Sequence, residues 1–296
     1  MWVQRLINTA RGTFEVFEKG EGEPLAVTHI YSEYDDRGNA FANPFTEHYH
    51  VYLINLRGAG KSEGAQSEEQ YSMKESVLDL EAIREALQIP KWGFAGHSTG
   101  GMLALVYAVM REESLTKIIA GGAAASVEYS ADPGSMYCKE NPNFERIIEI
   151  MNRLDTAGVA LEERRALGRE WNLMSFHSEE KMESAFQKPN SGKTVGDRLT
   201  YFRKVDCKTY DVRDDLKQIN LTAYIYAGIY DAQCPHKFGV EIADCLPNAS
   251  FTSFLHSNHY PFFEEEEEFD AFVRSTLNRV EGVLTSGQLT GAKDER

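Results

Sequence analysis

Short apolar runs and longer amphipathic stretches alternate along most of this chain, which predicts strands separated by helices. The runs have the length and composition of strands that are buried on both faces of a sheet. They are Pro24–Thr28, Val51–Leu56, Trp92–Gly96, Leu115–Gly121, Leu221–Ala227 and Ser250–Leu255. The helical stretches between and after them are Ser72–Leu87, Thr99–Met110, Lys237–Cys245 and Phe263–Val283. This order predicts an α/β fold with a doubly wound, mostly parallel sheet.

Two further elements precede this alternation. Val3–Asn8 and Thr13–Glu18 flank a turn near Arg11 and Gly12, which predicts a β-hairpin. The stretch 39–49 has a helical pattern, although Pro44 should break it or begin a turn.

The alternation stops between about Ser126 and Asp215, where the chain is polar and predicts helices without a buried strand. The helices expected there are Asn143–Leu154, Leu161–Asn172, Glu179–Gln187 and Thr194–Lys204. We therefore predict one core, formed by residues 1–125 and 216–296, into which residues 126–215 are inserted as a helical cap. The last residues, Thr285–Arg296, form a polar tail that we expect to fray.

Composition narrows the classes of function. The chain has 296 residues, 42% of them hydrophobic, and 31 basic against 46 acidic residues give a net charge of −15. Nucleic acids and anionic membranes need a basic surface, so we expect neither as a partner. Four widely spaced cysteines, no signal-peptide pattern and no apolar stretch near ~18 residues favour a cytoplasmic protein without a metal site.

A candidate nucleophile lies in Gly96-His-Ser98-Thr-Gly100, between a predicted strand and a predicted helix. A serine on such a sharp turn projects above the sheet, and glycines two residues before and after it avoid clashes. The N–H groups at the start of the following helix, beginning with Thr99, can stabilise a negative oxygen. The alternative is a glycine-rich turn that only packs a helix on the sheet.

The serine hydroxyl needs a base and an orienting acid. Asp231 follows the strand Leu221–Ala227 and so lies at a carboxyl end, where open α/β sheets bind ligands. It could instead cap the helix near Pro235. Other aspartates (Asp206, Asp211, Asp214 and Asp215) precede that strand.

Two histidines follow the last strand and compete for the role of base. His259 directly precedes the final helix, where a loop tip can reach Ser98, whereas His256 lies closer to the strand end. We favour His259 on loop position. His29, His97 and His236 are less suitable, and adjacent side chains diverge at a sharp turn, which disfavours His97.

Together these motifs resemble the α/β-hydrolase fold superfamily, and within it the proline iminopeptidase-like branch. The matching segments are Asn55-Leu-Arg-Gly-Ala-Gly-Lys-Ser62, Gly96–Gly100, Gly228-Ile-Tyr-Asp231 with Pro235, and Asn258-His-Tyr-Pro261. The resemblance implies a Ser98–Asp231–His259 triad and an oxyanion hole formed by the backbone N–H groups of Thr99 and Tyr31. It implies no cofactor.

The sequence departs from the family pattern at three places. Asn55 replaces an Asp, Thr99 stands where iminopeptidases often have Trp, and His29-Ile-Tyr-Ser-Glu33 lacks the usual glycines and proline. The bulky Tyr31 would narrow the site. Cap glutamates that could hold a substrate amine are Glu170, Glu179 and Glu180, and pocket candidates are His29, Trp171 and Phe176.

We thus expect a serine hydrolase that cleaves a small ester, an amide or an N-terminal aminoacyl bond through an acyl-enzyme. The partner would be a small molecule or short peptide, and the oligomeric state stays open. The alternatives are a carboxylesterase or lactonase without peptidase activity, and a ligand-binding protein of this fold with little turnover.

Two other motifs are not assigned a role in catalysis. The P-loop-like segment 55–62 lacks the following helix that phosphate binding needs, and Glu264–Glu268 is interpreted as solvated surface at a helix start.

Overall fold

A computed structural model describes residues 1–156 and 158–277, and an eight-stranded sheet forms its centre. In chain order the strands are β1 (Val3–Thr9), β2 (Gly12–Lys19), β3 (Glu23–Val27), β4 (Ser32–Glu33), β5 (Tyr49–Ile54), β6 (Trp92–His97), β7 (Leu115–Gly121), β8 (Lys193–Thr194), β9 (Thr222–Gly228) and β10 (Ala249–Phe254). The order across the main sheet is β1-β2-β5-β3-β6-β7-β9-β10, while β4 pairs only with β8. Strands β1, β2 and β5 pair antiparallel, and the other neighbours pair parallel. The predicted hairpin and mostly parallel sheet are confirmed.

Eleven α-helical segments accompany the strands in the described residues. They are α1 (Met73–Ala86), α2 (Thr99–Arg111), α3 (Phe144–Asp155), α4 (Leu161–Ser175), α5 (Glu179–Phe186), α6 (Gly196–Tyr201), α7 (Cys207–Thr209), α8 (Arg213–Leu216), α9 (His236–Cys245), α10 (Pro261–Glu264) and α11 (Glu266–Ser275). Helix α1 begins where the sequence predicts, because the Ser72 side chain accepts a hydrogen bond from the Glu75 N–H and caps it.

The sheet buries apolar side chains on both faces, as a doubly wound fold requires. Along β5, Val51 and Leu53 point into one core, whereas Tyr52 and Ile54 point into the other. Helices α1, α2 and α9 contribute to the second core, and α11 to the first. Successive side chains of a strand point to opposite faces of the sheet, and both faces are buried here. The runs are therefore apolar throughout.

Two predicted helices outside residues 126–215 differ from the structure. The stretch 39–49 contains only a 3-10 turn, Asn43–Glu47, with Pro44 at its start. The predicted helix Phe263–Val283 is broken into α10 and α11 at Glu265, whose φ of −133° and ψ of 62° are not helical. Residues 278–283 and the predicted polar tail lie outside the described residues.

Residues 126–215, which we continue to call the cap, contain α3 to α7 and most of α8. Three predicted cap helices coincide with α3, α4 and α5. The fourth, Thr194–Lys204, is α6 followed by a π-helical turn, Phe202–Asp206. Strand β8 is exposed and was not predicted, because two residues carry no periodicity. The division into core and cap stays a prediction.

Asn55, at the position where the family pattern has an aspartate, ties three segments together at the end of β5. Its Oδ1 accepts from the Tyr34 N–H at 2.7 Å, and its Nδ2 donates to Glu15 Oε2 at 2.8 Å and to the Tyr34 carbonyl at 3.0 Å. An aspartate would place a second carboxylate against Glu15 and could not donate to either oxygen. The amide is therefore suited to the acidic neighbour that this chain carries.

Candidate active site

Ser98 lies at the sharp turn between β6 and α2, with φ 57° and ψ −126°. A positive φ is uncommon for a residue with a Cβ and is retained only where the surroundings impose it. The two flanking glycines explain how the turn closes. A Cβ on Gly96 would lie 2.0 Å from the Gly100 carbonyl oxygen, and one on Gly100 would lie 2.4 Å from the Thr28 carbonyl oxygen. The motif thus adopts the strained conformation that the sequence predicts.

Asp231 follows β9 and is buried, with both carboxylate oxygens engaged. Oδ1 accepts from the N–H groups of Gln233 at 2.9 Å and Cys234 at 2.8 Å. Oδ2 lies 2.9 Å from Nδ1 of His259. Helix α9 starts after Pro235 and has no side-chain cap, so Asp231 does not have the helix-capping role that was its alternative.

His259 is buried against Asp231, whereas His256 is exposed. The His259 N–H donates to the Ser175 carbonyl at the end of α4, which fixes the loop against the cap. The His256 N–H donates to Glu265 at 2.9 Å. Of the two competing histidines, the structure therefore brings His259 to the candidate acid.

The site contains a second imidazole, because the ring of His97 lies 4.6 Å from that of His259. Its Nδ1 is 2.9 Å from the Tyr226 hydroxyl, and burial holds the pKa of His97 well below its usual value. His97 is therefore neutral at neutral pH and adds no charge beside His259. Gly122 has a φ of +55°, and a Cβ there would lie 3.0 Å from Cε1 of His259, so a side chain would obstruct the ring.

His29 joins the two segments that carry the candidate oxyanion donors. Its Nε2 lies 3.0 Å from Oγ1 of Thr99, and its Nδ1 lies 3.0 Å from Oγ of Ser32. Burial lowers the pKa of His29 to about 3, with the charges of His259 and Arg198 as smaller causes, so the ring is neutral. The Tyr31 N–H points toward His29 Nδ1 at 3.4 Å, and the Tyr31 ring packs edge-on against that of His29.

Glu264 and Glu265 are buried, which contradicts the interpretation of the whole run Glu264–Glu268 as solvated surface. Glu264 accepts from the backbone N–H groups of His177 and Asn258, and so joins the cap to the loop of His259. Glu265 accepts from His256 N–H and the Ser257 hydroxyl. Burial raises the pKa of the Glu264 carboxyl to about 7. Glu266 to Glu268 are exposed, as expected. The sequence could not distinguish the two buried glutamates from the three exposed ones, because all five residues of the run are identical.

The two aromatic pocket candidates pack within the cap and at its junction with the core. Trp171 lies in a small cluster with Met136, Ile147 and Met151. Phe176 is buried with its ring 4.9 Å from that of Tyr260, the residue after His259. Their contact with a substrate stays a prediction.

The three cap glutamates are placed differently from one another. Glu170 receives two hydrogen bonds from Arg146, both at 2.6 Å, and Glu179 is paired with Arg169 at 2.7 Å. Glu180 is exposed.

Within the described residues, His, Cys, Asp and Glu side chains form no group of three that could hold a metal ion. The helices described there also include none that is long and apolar enough to span a membrane.

The arrangement supplies a strained serine, an imidazole paired with a buried carboxylate, and the N–H groups of a helix start, all at the carboxyl ends of β3, β6, β9 and β10. The profile of the alpha/beta hydrolase fold family matches residues 28–266. Proline iminopeptidase from Heyndrickxia coagulans is 24% identical over 95% of this chain and 100% of its own.

Solved structures agree with these matches. An alpha/beta fold family hydrolase from Bacillus anthracis str. Sterne is 60% identical with a TM-score of 0.93, covering 94% of this chain and 100% of that one. An esterase from Exiguobacterium antarcticum is 20% identical with a TM-score of 0.71 over 92% and 98%, a likeness of fold alone. The chain therefore belongs to the α/β-hydrolase fold family and resembles its proline iminopeptidases.

Proposed function

We propose that this protein is a serine hydrolase in which Ser98, His259 and Asp231 form the catalytic triad. The observation that carries the proposal is the positive φ of Ser98 at a strand–helix turn, together with the buried Asp231–His259 pair at the same edge of the sheet. The substrate class is a small ester, an amide or an N-terminal aminoacyl bond in a small molecule or short peptide. No cofactor enters the reaction.

In the proposed mechanism, Ser98 Oγ attacks the carbonyl carbon while Nε2 of His259 takes the hydroxyl proton. The negative oxygen of the tetrahedral intermediate accepts hydrogen bonds from the N–H groups of Thr99 and Tyr31, each worth ~3 kcal/mol. His259 then protonates the leaving group, and an acyl-enzyme forms. Water, deprotonated by His259, releases the acid. Asp231 holds the imidazole through Nδ1 and stabilises its cation, while the cap shapes the pocket and excludes water.

A fluorophosphonate probe tests this function directly, because it reacts covalently with activated serines. We expect the native chain to be labelled once and the Ser98→Ala variant not at all. Ser253→Ala, which changes an exposed serine, serves as the matched control and should be labelled like the native chain. Folded native protein that stays unlabelled would instead support the ligand-binding alternative.

The cap glutamates favour a second candidate, a carboxylesterase or lactonase without peptidase activity. An aminopeptidase must pair the ammonium group of its substrate, because an unpaired buried charge costs several kcal/mol. Glu170 and Glu179 are already paired with arginines, and Glu180 points into solvent. Two of the three carboxylates are therefore already neutralised and the third is solvated, so none is an unpaired buried partner for a substrate amine.

The second candidate predicts that this chain hydrolyses p-nitrophenyl acetate and leaves prolyl-naphthylamide almost untouched. The ratio of kcat/KM values should be on the order of 10³ or more, as an unpaired ammonium implies. Glu170→Gln should change neither value. If prolyl-naphthylamide is cleaved and Glu170→Gln raises its KM, this glutamate holds the amine and the aminopeptidase candidate is correct.

A further inference from the structure

The loop that follows β3, residues His29–Tyr34, is held by a segment of the cap. Strand β8 of the cap pairs with β4 of this loop, with Thr194 opposite Ser32 and Lys193 opposite Glu33. The Val195 N–H donates to the Tyr31 carbonyl at 2.8 Å. The loop has no glycine of its own, so its backbone direction is set by these contacts rather than by local flexibility.

Arg198, on α6 of the cap, provides the most buried of these contacts. Its side chain is fully buried, and its guanidinium donates to four points outside the cap: the Ile30 carbonyl, the Arg57 carbonyl at 3.0 Å, the Ser76 hydroxyl at 2.7 Å and, at 3.5 Å, the Tyr71 carbonyl. Among the described residues, no carboxylate lies within ion-pair distance of it. Burial lowers the pKa of Arg198 only to about 10, so the group stays charged at neutral pH.

The bond to Ile30 has a geometric consequence for Tyr31. The described chain contains no cis peptide bond, and in a trans peptide the carbonyl and the following N–H point in opposite directions. Because Arg198 fixes the Ile30 carbonyl, the Tyr31 N–H is directed to the other side of the peptide plane. His29 lies on that side, and its Nε2 contacts Thr99, whose N–H is the other candidate oxyanion donor.

We propose that Arg198 is a positioning residue that orients the Tyr31 N–H for the oxyanion by holding the Ile30 carbonyl from the cap. This inference rests on the proposed serine hydrolase function and extends it, because the oxyanion hole is then complete only when the cap is seated on the loop. A ring contact supports the same seating, since Phe202 in the π-helical turn packs 6.2 Å from Tyr31.

The test uses three variants of the full chain. Arg198→Met removes the donors, Arg198→Lys keeps the charge but loses the planar fork, and Ser76→Ala removes one acceptor of the guanidinium without emptying the core. For p-nitrophenyl acetate we expect kcat to fall about 10²-fold in Arg198→Met and less in the other two, with KM nearly unchanged. Affinity for a trifluoromethyl ketone, which forms an oxyanion on Ser98, should fall by the same factors as kcat.

Ser191→Ala is the matched control. It removes hydrogen bonds between the same cap segment and the core, to Gly38 and Asp35, but does not touch the Ile30–Tyr31 peptide. Its kcat should stay within a few-fold of the native value. If Arg198→Met fails to fold, Arg198→Lys and Ser76→Ala carry the test.

The inference is overturned if the Arg198 and Ser76 variants lose no more kcat than Ser191→Ala, or if KM rises while ketone affinity is kept. In those cases native labelling by the fluorophosphonate still supports the triad, so the two proposals fail separately. A native chain that neither turns over esters nor is labelled overturns both.

Discussion

Replacing His259 or Ser98 by alanine is expected to lower kcat for an ester substrate by about the same factor, on the order of 10⁶. The two side chains act as one unit, since the hydroxyl is a weak nucleophile without the base and the base has nothing to activate without the hydroxyl. A double variant should therefore be hardly slower than either single variant. Steady-state kinetics with p-nitrophenyl acetate measure all three.

His256→Ala is the control for this prediction, because it removes an exposed imidazole from the same loop. Its turnover should equal that of the native chain. The backbone N–H that meets Glu265 is retained, so the loop should keep its conformation. An inactive His256→Ala beside an active His259→Ala would transfer the role of base to His256 and refute the proposed triad.

Asp231→Asn is expected to lower kcat by ~10⁴ with little change in KM. Oδ1 of Asp231 accepts two backbone N–H groups, which an amide oxygen can also accept. The amide nitrogen would then face Nδ1 of His259 and donate a proton where the carboxylate accepts one. This hydrogen bond would place the imidazole proton on Nε2, so that His259 could no longer take the proton of Ser98.

Asp214→Asn provides the comparison, since Asp214 is an exposed aspartate that pairs with a surface lysine, Lys217. It should have native kinetics. Thermal unfolding of each variant separates a loss of chemistry from a loss of folded protein. A tenfold or smaller effect of Asp231→Asn would show that another group orients the base.

Much of the fold was predictable because its signals are local. A strand buried on both faces is apolar throughout, and a helix that packs on it has apolar residues every three or four positions, so β5, β6, β7 and α1 were predicted within a few residues. The final helix was not, because it is interrupted at Glu265, whose carboxylate accepts hydrogen bonds from the His256 N–H and the Ser257 hydroxyl. Such bonds leave no periodic trace in the sequence.

The residues of the candidate site were also predictable only in part. Asp231 and His259 were chosen by their places after strands, and the structure joins them at 2.9 Å. The cap glutamates were chosen by charge alone, and exposed arginines nearby account for two of them. The charge of a glutamate shows that it could pair with a substrate amine. It does not show whether an arginine of the folded chain already pairs with that glutamate.

By itself the sequence determined the doubly wound sheet, which follows from side-chain periodicity. It also determined the place of the serine motif, because only glycines fit beside so sharp a turn. Only the tertiary structure decided which distant residues hold the loops that carry His259 and Tyr31. Glu264 supports the loop of His259 across 87 residues of sequence from His177, and Arg198 reaches the Ile30 carbonyl across 168. The first hydrogen bond is partly buried and the second is fully buried. An unmet donor or acceptor is costly where water is excluded, so packing sets these partners rather than proximity in the chain.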